Sequence, residues 1–177
     1  MIRLIERQYI PDNTELKLFE EINSIDFPWF KSPSVYGSKH YCFFHSLMMR
    51  TDVENQTVGN PGDINSIYYP HFENIFLKFC KQNNIEVKKI FRASLNLTCY
   101  HEDLHSNIHV DHVYPHRNFI MYLSEASGDT YIYDESVQTM FSISPKLHKA
   151  IIFDGVPHAQ GFCKMDEVRI VLVFTFE

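Results

Sequence analysis

The sequence predicts an α+β fold, mainly β, with helices placed first and packed outside a β-sandwich or barrel. Three observations predict it. The chain of 177 residues carries 15 Phe and 10 Tyr, and aromatic side chains favour strands. Before residue 84, two segments repeat apolar residues at the helical period. After residue 85, short apolar runs alternate with Gly, Pro, Asp and Ser, the texture of a sandwich or barrel. Length and a hydrophobic content of 45% fit one domain over 1–177, with a supporting helical region at 1–84 and the β-rich core at 85–177.

Residues 11–25 read as the first helix. Asp12 or Asn13 can cap it, and Leu16, Phe19, Glu20 and Asn23 continue the period. Pro28 and Pro33 break the pattern. Residues 41–49 are apolar and read as a strand. The polar stretch 51–63 carries Gly59, Pro61 and Gly62 and reads as a loop. Residues 65–83 read as a second helix with Ile67, Tyr68, Phe72, Ile75, Phe76 and Phe79 on its apolar face, and Asn83-Asn84 ends it. Residues 86–100 form a candidate long strand. Shorter strands are expected at 118–123, 130–133, 139–143, 150–153 and 168–176.

Lys and Arg number 16 against 22 Asp and Glu, a net charge of -6. This argues against a sequence-independent grip on nucleic acid, which needs a basic surface. Cys42, Cys80, Cys99 and Cys163 are far apart with no C-x-x-C, so they read as reduced thiols and not as a zinc ribbon or redox pair. The N-terminal MIRLIERQYIPDNTE has no apolar run of the secretory kind, and no stretch reaches the roughly 20 apolar residues of a membrane helix. The expectation is a soluble, cytoplasmic protein with no membrane partner.

The chemistry concentrates at His109-Val110-Asp111, read together with His158 and Arg169. Two imidazoles and one carboxylate in this order can cover one face of a metal and leave the other open, the ligand set of non-haem Fe(II) oxygenases. On an extended chain alternate residues point the same way, so His109 and Asp111 can reach one ion while Val110 points away. His158 must come from another strand, with Pro157 stiffening its approach. Arg169 opens the apolar run VRIVLVFTF, where a charge is costly unless paired. A bound carboxylate would pair it bidentately; Asp166 or Glu167 could do so too.

The other histidines read more plainly. His40, His45, His71 and His148 have no partner at metal spacing. His112 and His116 flank the site as solvated loop residues or as supports for ligands or substrate. His101-Glu102-Asp103-Leu104-His105 is a literal H-E-x-x-H, which on a helix would bind zinc with Glu102 as general base. The strand-like FRASLNLTCY before it and Pro115 after it argue for a polar loop instead.

From residue 90 to 177 the chain resembles the Fe(II)/2-oxoglutarate-dependent oxygenases of the prolyl-4-hydroxylase type, including small members carried by phages and other viruses. The resemblance rests on HVD at 109–111, FIMYLSEASGDTYIYD at 119–134, PKLHKAIIFDGVPHAQ at 145–160 and VRIVLVFTF at 168–176. Two features depart from the family. Gly128 and Asp129 stand where two glycines are common, and Ser106 replaces a tyrosine in the run before His-x-Asp.

The resemblance implies a double-stranded β-helix, a jelly-roll variant, as the catalytic core, with buttressing N-terminal helices. It implies His109, Asp111 and His158 as iron ligands, with no separate catalytic side chain. Arg169 would bind the distal carboxylate of 2-oxoglutarate, with Tyr122, Tyr100 and Thr130 as further contacts. The cofactors implied are Fe(II) and 2-oxoglutarate, with ascorbate as candidate reductant. The reaction implied is hydroxylation of a C–H bond, first of all in a peptidyl proline of a protein or peptide substrate, with release of succinate and carbon dioxide. The stretches 51–63 and 101–108 are candidate covers over that substrate. A zinc metallohydrolase using HEDLH and a non-catalytic metal-binding β-sandwich module stay open as alternatives. Oligomeric state is not specified by the sequence.

Overall fold

The computed structural model describes residues 3–33, 39–51, 58–134 and 139–177. Along the chain the elements are β1 (Leu4–Gln8), α1 (Asn13–Ile22), β2 (Phe30–Pro33), β3 (Tyr41–Met49), β4 (Asp63–Ile64), α2 (Tyr69–Gln82), β5 (Ile90–Thr98) and β6 (Arg117–Tyr122). They continue with β7 (Thr130–Asp134), β8 (Thr139–Ile143), β9 (Lys149–Asp154), β10 (His158–Gln160) and β11 (Arg169–Phe176). The larger sheet runs β1-β9-β6-β11-β5-β3-β2, with β4 added to β3; the smaller runs β10-β7-β8. The architecture is the jelly-roll variant known as a double-stranded β-helix.

Strand β11 is central in the larger sheet, paired antiparallel with β5 and β6. All eight of its residues are buried. Period 2 sends Ile170, Leu172, Phe174 and Phe176 to the helix-covered core, and Val171 and Val173 to a second apolar cluster with Ile120, Tyr122, Ile132, Ile151 and Phe153. Burial on both faces explains the near-continuous apolar run.

The helices cover the outer face of the larger sheet. Asp12 caps α1: its side chain accepts from the Thr14 and Glu15 amides, and Glu15 reaches back to the Asp12 amide, a full capping box. Glu15 is buried because the Tyr9 hydroxyl donates to it at 2.7 Å and Lys78 of α2 at 3.1 Å. Helix α2 has Pro70 in its first turn and ends at Asn83, with Asn84 in the left-handed region at φ 53°. Phe76 stacks on Phe174 at 4.5 Å and meets Phe119 and Phe176 edge-on.

The order of elements departs from helices followed by strands. Strands β1 to β4 lie before residue 85, and β3 pairs with β5 over Phe43–Met48 against Leu97–Ala93. The expected division at 84/85 therefore falls inside the larger sheet. Charged LIERQ pairs with β9 along the sheet edge, which local hydrophobicity does not announce. The expected loop at 51–63 lies partly outside the described residues, which resume at Val58. No helix among the described residues is long and apolar enough to cross a membrane.

Two outcomes follow from this packing. Phe76→Ala should cost about 3–5 kcal/mol in urea unfolding, because the partner rings cannot close the cavity left behind; a cost below 1 kcal/mol would contradict the stacked core. Cys42, Cys80 and Cys163 are buried and Cys99 exposed, and burial pushes the Cys80 thiol up to about 12. A thiol reagent should therefore label one cysteine quickly in the native protein and four after denaturation.

Candidate metal centre

The centre begins with a backbone pair. His109 and His158 form an antiparallel bridge, each amide donating to the other's carbonyl at 3.0 and 2.9 Å. This sets the two imidazoles side by side, 4.5 Å between ring centroids and tilted by 47°. His158 opens β10, so it belongs to the smaller sheet. Asp111 returns to the same side two residues after His109, and its Oδ2 lies 3.4 Å from His158 Nε2. One donor atom from each of the three lies within 4.8 Å of the others.

Both ring orientations are fixed from behind. His109 Nδ1 donates to the Asn107 carbonyl at 3.2 Å and His158 Nδ1 to the Val156 carbonyl at 2.9 Å. The Nδ1 protons are thereby committed, and Nε2 is the nitrogen left for a ligand role. The Asp111 carboxylate is held by Arg92, whose Nη1 donates to Oδ1 at 3.0 Å. Arg50 donates to the Asp111 carbonyl at 3.0 Å.

Electrostatics follow the same geometry. Burial opposes ionisation of Asp111. The hydrogen bond from His158, with the charges of His158, Arg92 and His109, outweighs it and holds the carboxyl well below the usual range. For His109 burial dominates and lowers the pKa. For His158 burial also acts downward, but the hydrogen bond to Asp111 reverses it and the pKa rises.

Arg169 lies on the cavity-facing side of β11 and is 2% exposed. Its Nη2 donates to Thr130 Oγ1 at 2.8 Å, joining the larger sheet to the smaller. Burial draws its pKa down, with Tyr122 acting in opposition. Among the described residues no carboxylate pairs with it, and its Nε has no hydrogen-bond partner. Asp166 and Glu167 therefore do not supply its counter-charge; the Glu167 carboxylate instead accepts from the Ser127 amide at 2.8 Å.

A cavity of about 530 Å³ connects these groups, lined by His109, Asp111, His158, Thr130 and Arg169 among others. Its walls also carry Arg50 and Arg92, Asn118 and Gln160. Buried polar atoms without partners are rare in folded proteins. Five occur among the described residues, and four sit on the cavity walls: Asn118 Nδ2 and Oδ1, Gln160 Nε2 and Arg169 Nε. Such a concentration is what a site built around a polar ligand looks like when ligand and water are left aside. The donor set and the Arg169 cradle together fit a divalent iron and a dicarboxylate.

The remaining expected residues fall in different places. Tyr122 is buried behind Thr130, its hydroxyl 2.8 Å from Thr130 Oγ1, and it supports the Arg169 pocket from beneath. Tyr100 lies two residues past the end of β5, is 47% exposed and does not reach the cavity. His112 and His116 are buried and not solvated. His112 bonds Thr175 Oγ1 and the Tyr114 hydroxyl, and the His116 ring packs on Gly155, where any side chain would collide with it. The HEDLH segment forms bends and one bridge and no helix. His101 and His105 thus lack the shared helical face a zinc protease needs, which removes that reading. Asn118, Gln160, Arg50 and Arg92 were missed from the sequence. Only Asn118, a polar residue inside an apolar strand, gave a local signal.

No protein-family model matches the chain, and no curated protein matches it in sequence. Solved structures share its fold. An oxidoreductase of the 2OG-Fe(II) oxygenase family from Burkholderia pseudomallei superposes with a TM-score of 0.72 at 14% identity, covering 98% of this chain and 84% of that one. A prolyl hydroxylase from Trichoplax adhaerens, in complex with a hypoxia inducible factor peptide, gives 0.59 at 11% identity over 99% and 82%. The epimerase SnoN, in complex with Fe3+, alpha ketoglutarate and a nogalamycin compound, gives 0.59 at 9% identity over 98% and 78%.

The orphaned amide of Asn118 gives a stability test. Asn118→Leu keeps the volume and removes two unmatched polar atoms, so the protein without ligand should gain about 1–3 kcal/mol in urea unfolding. A loss of stability would mean the amide has partners in the ligand-free state.

Proposed function

We propose that this protein is an Fe(II)- and 2-oxoglutarate-dependent dioxygenase that hydroxylates a C–H bond, with a peptidyl proline as the first substrate to test. The observation that carries the reading is a His109–Asp111–His158 donor set sharing one cavity with a buried, half-satisfied Arg169. A metal site alone would not call for the arginine, and a structural arginine would not be left with an empty Nε. Dioxygen would be the oxidant at the Fe(II) site: one oxygen atom would enter the substrate C–H bond and the other the succinate formed as 2-oxoglutarate, the co-reductant, is oxidised and loses carbon dioxide.

The chain's own residues would do the positioning. His109 and His158 would present Nε2 and Asp111 an oxygen to one face of the ion, leaving the opposite face open. Arg92 would hold the other Asp111 oxygen and so fix the carboxylate orientation. Arg169 would pair with the distal carboxylate of 2-oxoglutarate, with Thr130 as second donor and Tyr122 holding Thr130 in place. Asn118 and Gln160 offer unmatched amide groups to the same ligand or to its water. The apolar walls, Ile120, Val171 and Val173, would keep bulk water from the reacting centre.

The peptide assignment rests on the sequence resemblance and on the peptide-bound neighbour. Against it stands the epimerase SnoN, whose complex holds nogalamycin RO in place of a peptide. The shared fold therefore leaves the substrate to the residues of the cavity rim.

Anaerobic titration with Fe(II) and then 2-oxoglutarate should give a weak visible charge-transfer band. His109→Ala should abolish it. Arg169→Ala should weaken 2-oxoglutarate binding by about 2–5 kcal/mol, the cost of breaking a buried charge pair. No band from folded protein would remove the oxygenase reading and favour a non-catalytic module. With the band present, a 16-Da gain on proline-containing peptides would support the proline assignment, and turnover without such a gain would redirect it to another substrate.

A further inference from the structure

A second group of metal-competent side chains lies outside the cavity. His40, His101 and Asp103 each offer a donor atom, all within 4.8 Å of one another. His40 precedes β3, and the other two follow β5 inside the HEDLH segment. Sequence spacing left His40 without a partner because 61 and 63 residues separate it from the other two. The fold brings them together.

The geometry is partly assembled. His40 is 3% exposed, and its Nε2 lies 2.6 Å from Asp103 Oδ2. His101 Nδ1 lies 3.6 Å from the same oxygen. The two rings meet edge-on at 4.5 Å, and each packs on Phe162 at 5.0 Å. Ligands about 2.1 Å from a tetrahedral zinc lie about 3.4 Å apart, and the two measured separations bracket that value. His101 Nδ1 accepts the Asp103 amide at 3.1 Å, so it is unprotonated, its lone pair engaged by that N–H. Hydrogen bonds from His40 and then Lys39 hold the Asp103 carboxyl at about 2.

The position of a cation is already marked. The Lys39 ammonium sits 2.9 Å from Asp103 Oδ2 on a side chain 73% exposed. It can swing into water if an ion takes its place. The cluster borders a groove of its own, lined by Lys39, His40, Asp103 and residues 104–108, so an ion need not pass through the main cavity.

We propose that His40, His101 and Asp103 form a second divalent-metal site, suited to zinc, that clamps the start of β3 to the 101–108 segment. Two imidazoles and a carboxylate are a zinc donor set, with water completing four-coordination. The ion displaces the Lys39 ammonium and the Nε2 proton that His40 donates to Asp103, which passes to solvent, and it takes the His101 lone pair from the Asp103 amide. The clamped segment is already bonded to β10 and the chain after it: the Ser106 amide donates to Gln160 and the Phe162 amide to Leu104. The second ion therefore braces the strand that carries His158. The site is structural; HEDLH contributes one histidine and its aspartate, not the two histidines of a protease.

The test is metal stoichiometry in the full chain. Chelator-treated protein is loaded with Zn(II), desalted and measured by elemental mass spectrometry, with Co(II) absorbance in parallel. Wild type should retain two equivalents. His101→Ala and Asp103→Asn, both at half-exposed positions, should retain one and keep the Fe(II)/2-oxoglutarate band. The pair His109→Ala/His158→Ala should retain one and lose the band. Zinc should raise the melting temperature of that pair, and the rise should vanish when Asp103→Asn is added. One equivalent in wild type, or two in both His101→Ala and Asp103→Asn, would overturn the proposal. Loss of the band alone would count against the proposed reaction and leave the second site standing.

Discussion

Strand β11 is buried on both faces, and the rest of the molecule is arranged around that constraint. A strand with no solvent side must satisfy every side chain internally. Ile170, Leu172, Phe174 and Phe176 do so against the helices, which is why α1 and α2 are needed outside the sheet. On the other face Val171 and Val173 pack apolarly, but Arg169 brings a full charge into the same row. Burying an unpaired guanidinium costs several kcal/mol. Thr130 and the Tyr122 ring offset only part of that cost. The unmatched Nε is an uncompensated cost within the fold, and the apolar length of β11 gives the stability that tolerates it.

The two sheets meet at the ligands. His158 belongs to the smaller sheet, while Asp111 is tied by Arg92 to β5 of the larger one. The reciprocal backbone pair between His109 and His158 holds the two sides in register. An ion at this point would cross-link the sheets, so metal affinity would appear directly as folding stability, growing with free metal over its dissociation constant. The Arg169–Thr130 bond makes the same connection at the other end of the cavity. The two sheets are thus joined at two polar points, and both are points where the proposed function would place a ligand.

Much of this was legible in the sequence because it rests on local period. Strand β3 and strand β8 have the bounds expected from their short apolar runs, and of the two cap candidates, Asp12 and Asn13, it is Asp12 that caps the first helix. His109 and Asp111 were legible as a pair because two residues make one strand repeat. What was not legible depends on partners. Strands β1 and β2 exist because neighbours accept their hydrogen bonds, and β10 is too short to show a period. Tyr100 lies half-exposed beyond the end of β5 at Thr98, and no residue type marks where that strand ends. Arg92 and Gln160 look like ordinary strand residues until the fold sets one against Asp111 and the other on the cavity wall. His40 lies more than sixty residues from its partners, beyond any spacing rule.

Charge placement ties the cavity to the chain as a whole. The protein carries a net charge of -6, a field that at long range disfavours a dianion such as 2-oxoglutarate. The cavity walls reverse that sign locally. Arg50, Arg92 and Arg169 line it, with Asp111 as the acidic residue among its lining. Screening weakens the surface charges beyond about 10 Å, whereas groups facing a low-dielectric cavity interact strongly. The local field therefore decides what enters. It also explains why Asp111 is set between His158 and Arg92. A carboxylate this little exposed would otherwise take up a proton. His158 at Oδ2 does most to keep it ionised, and Arg92 adds to this while engaging only Oδ1.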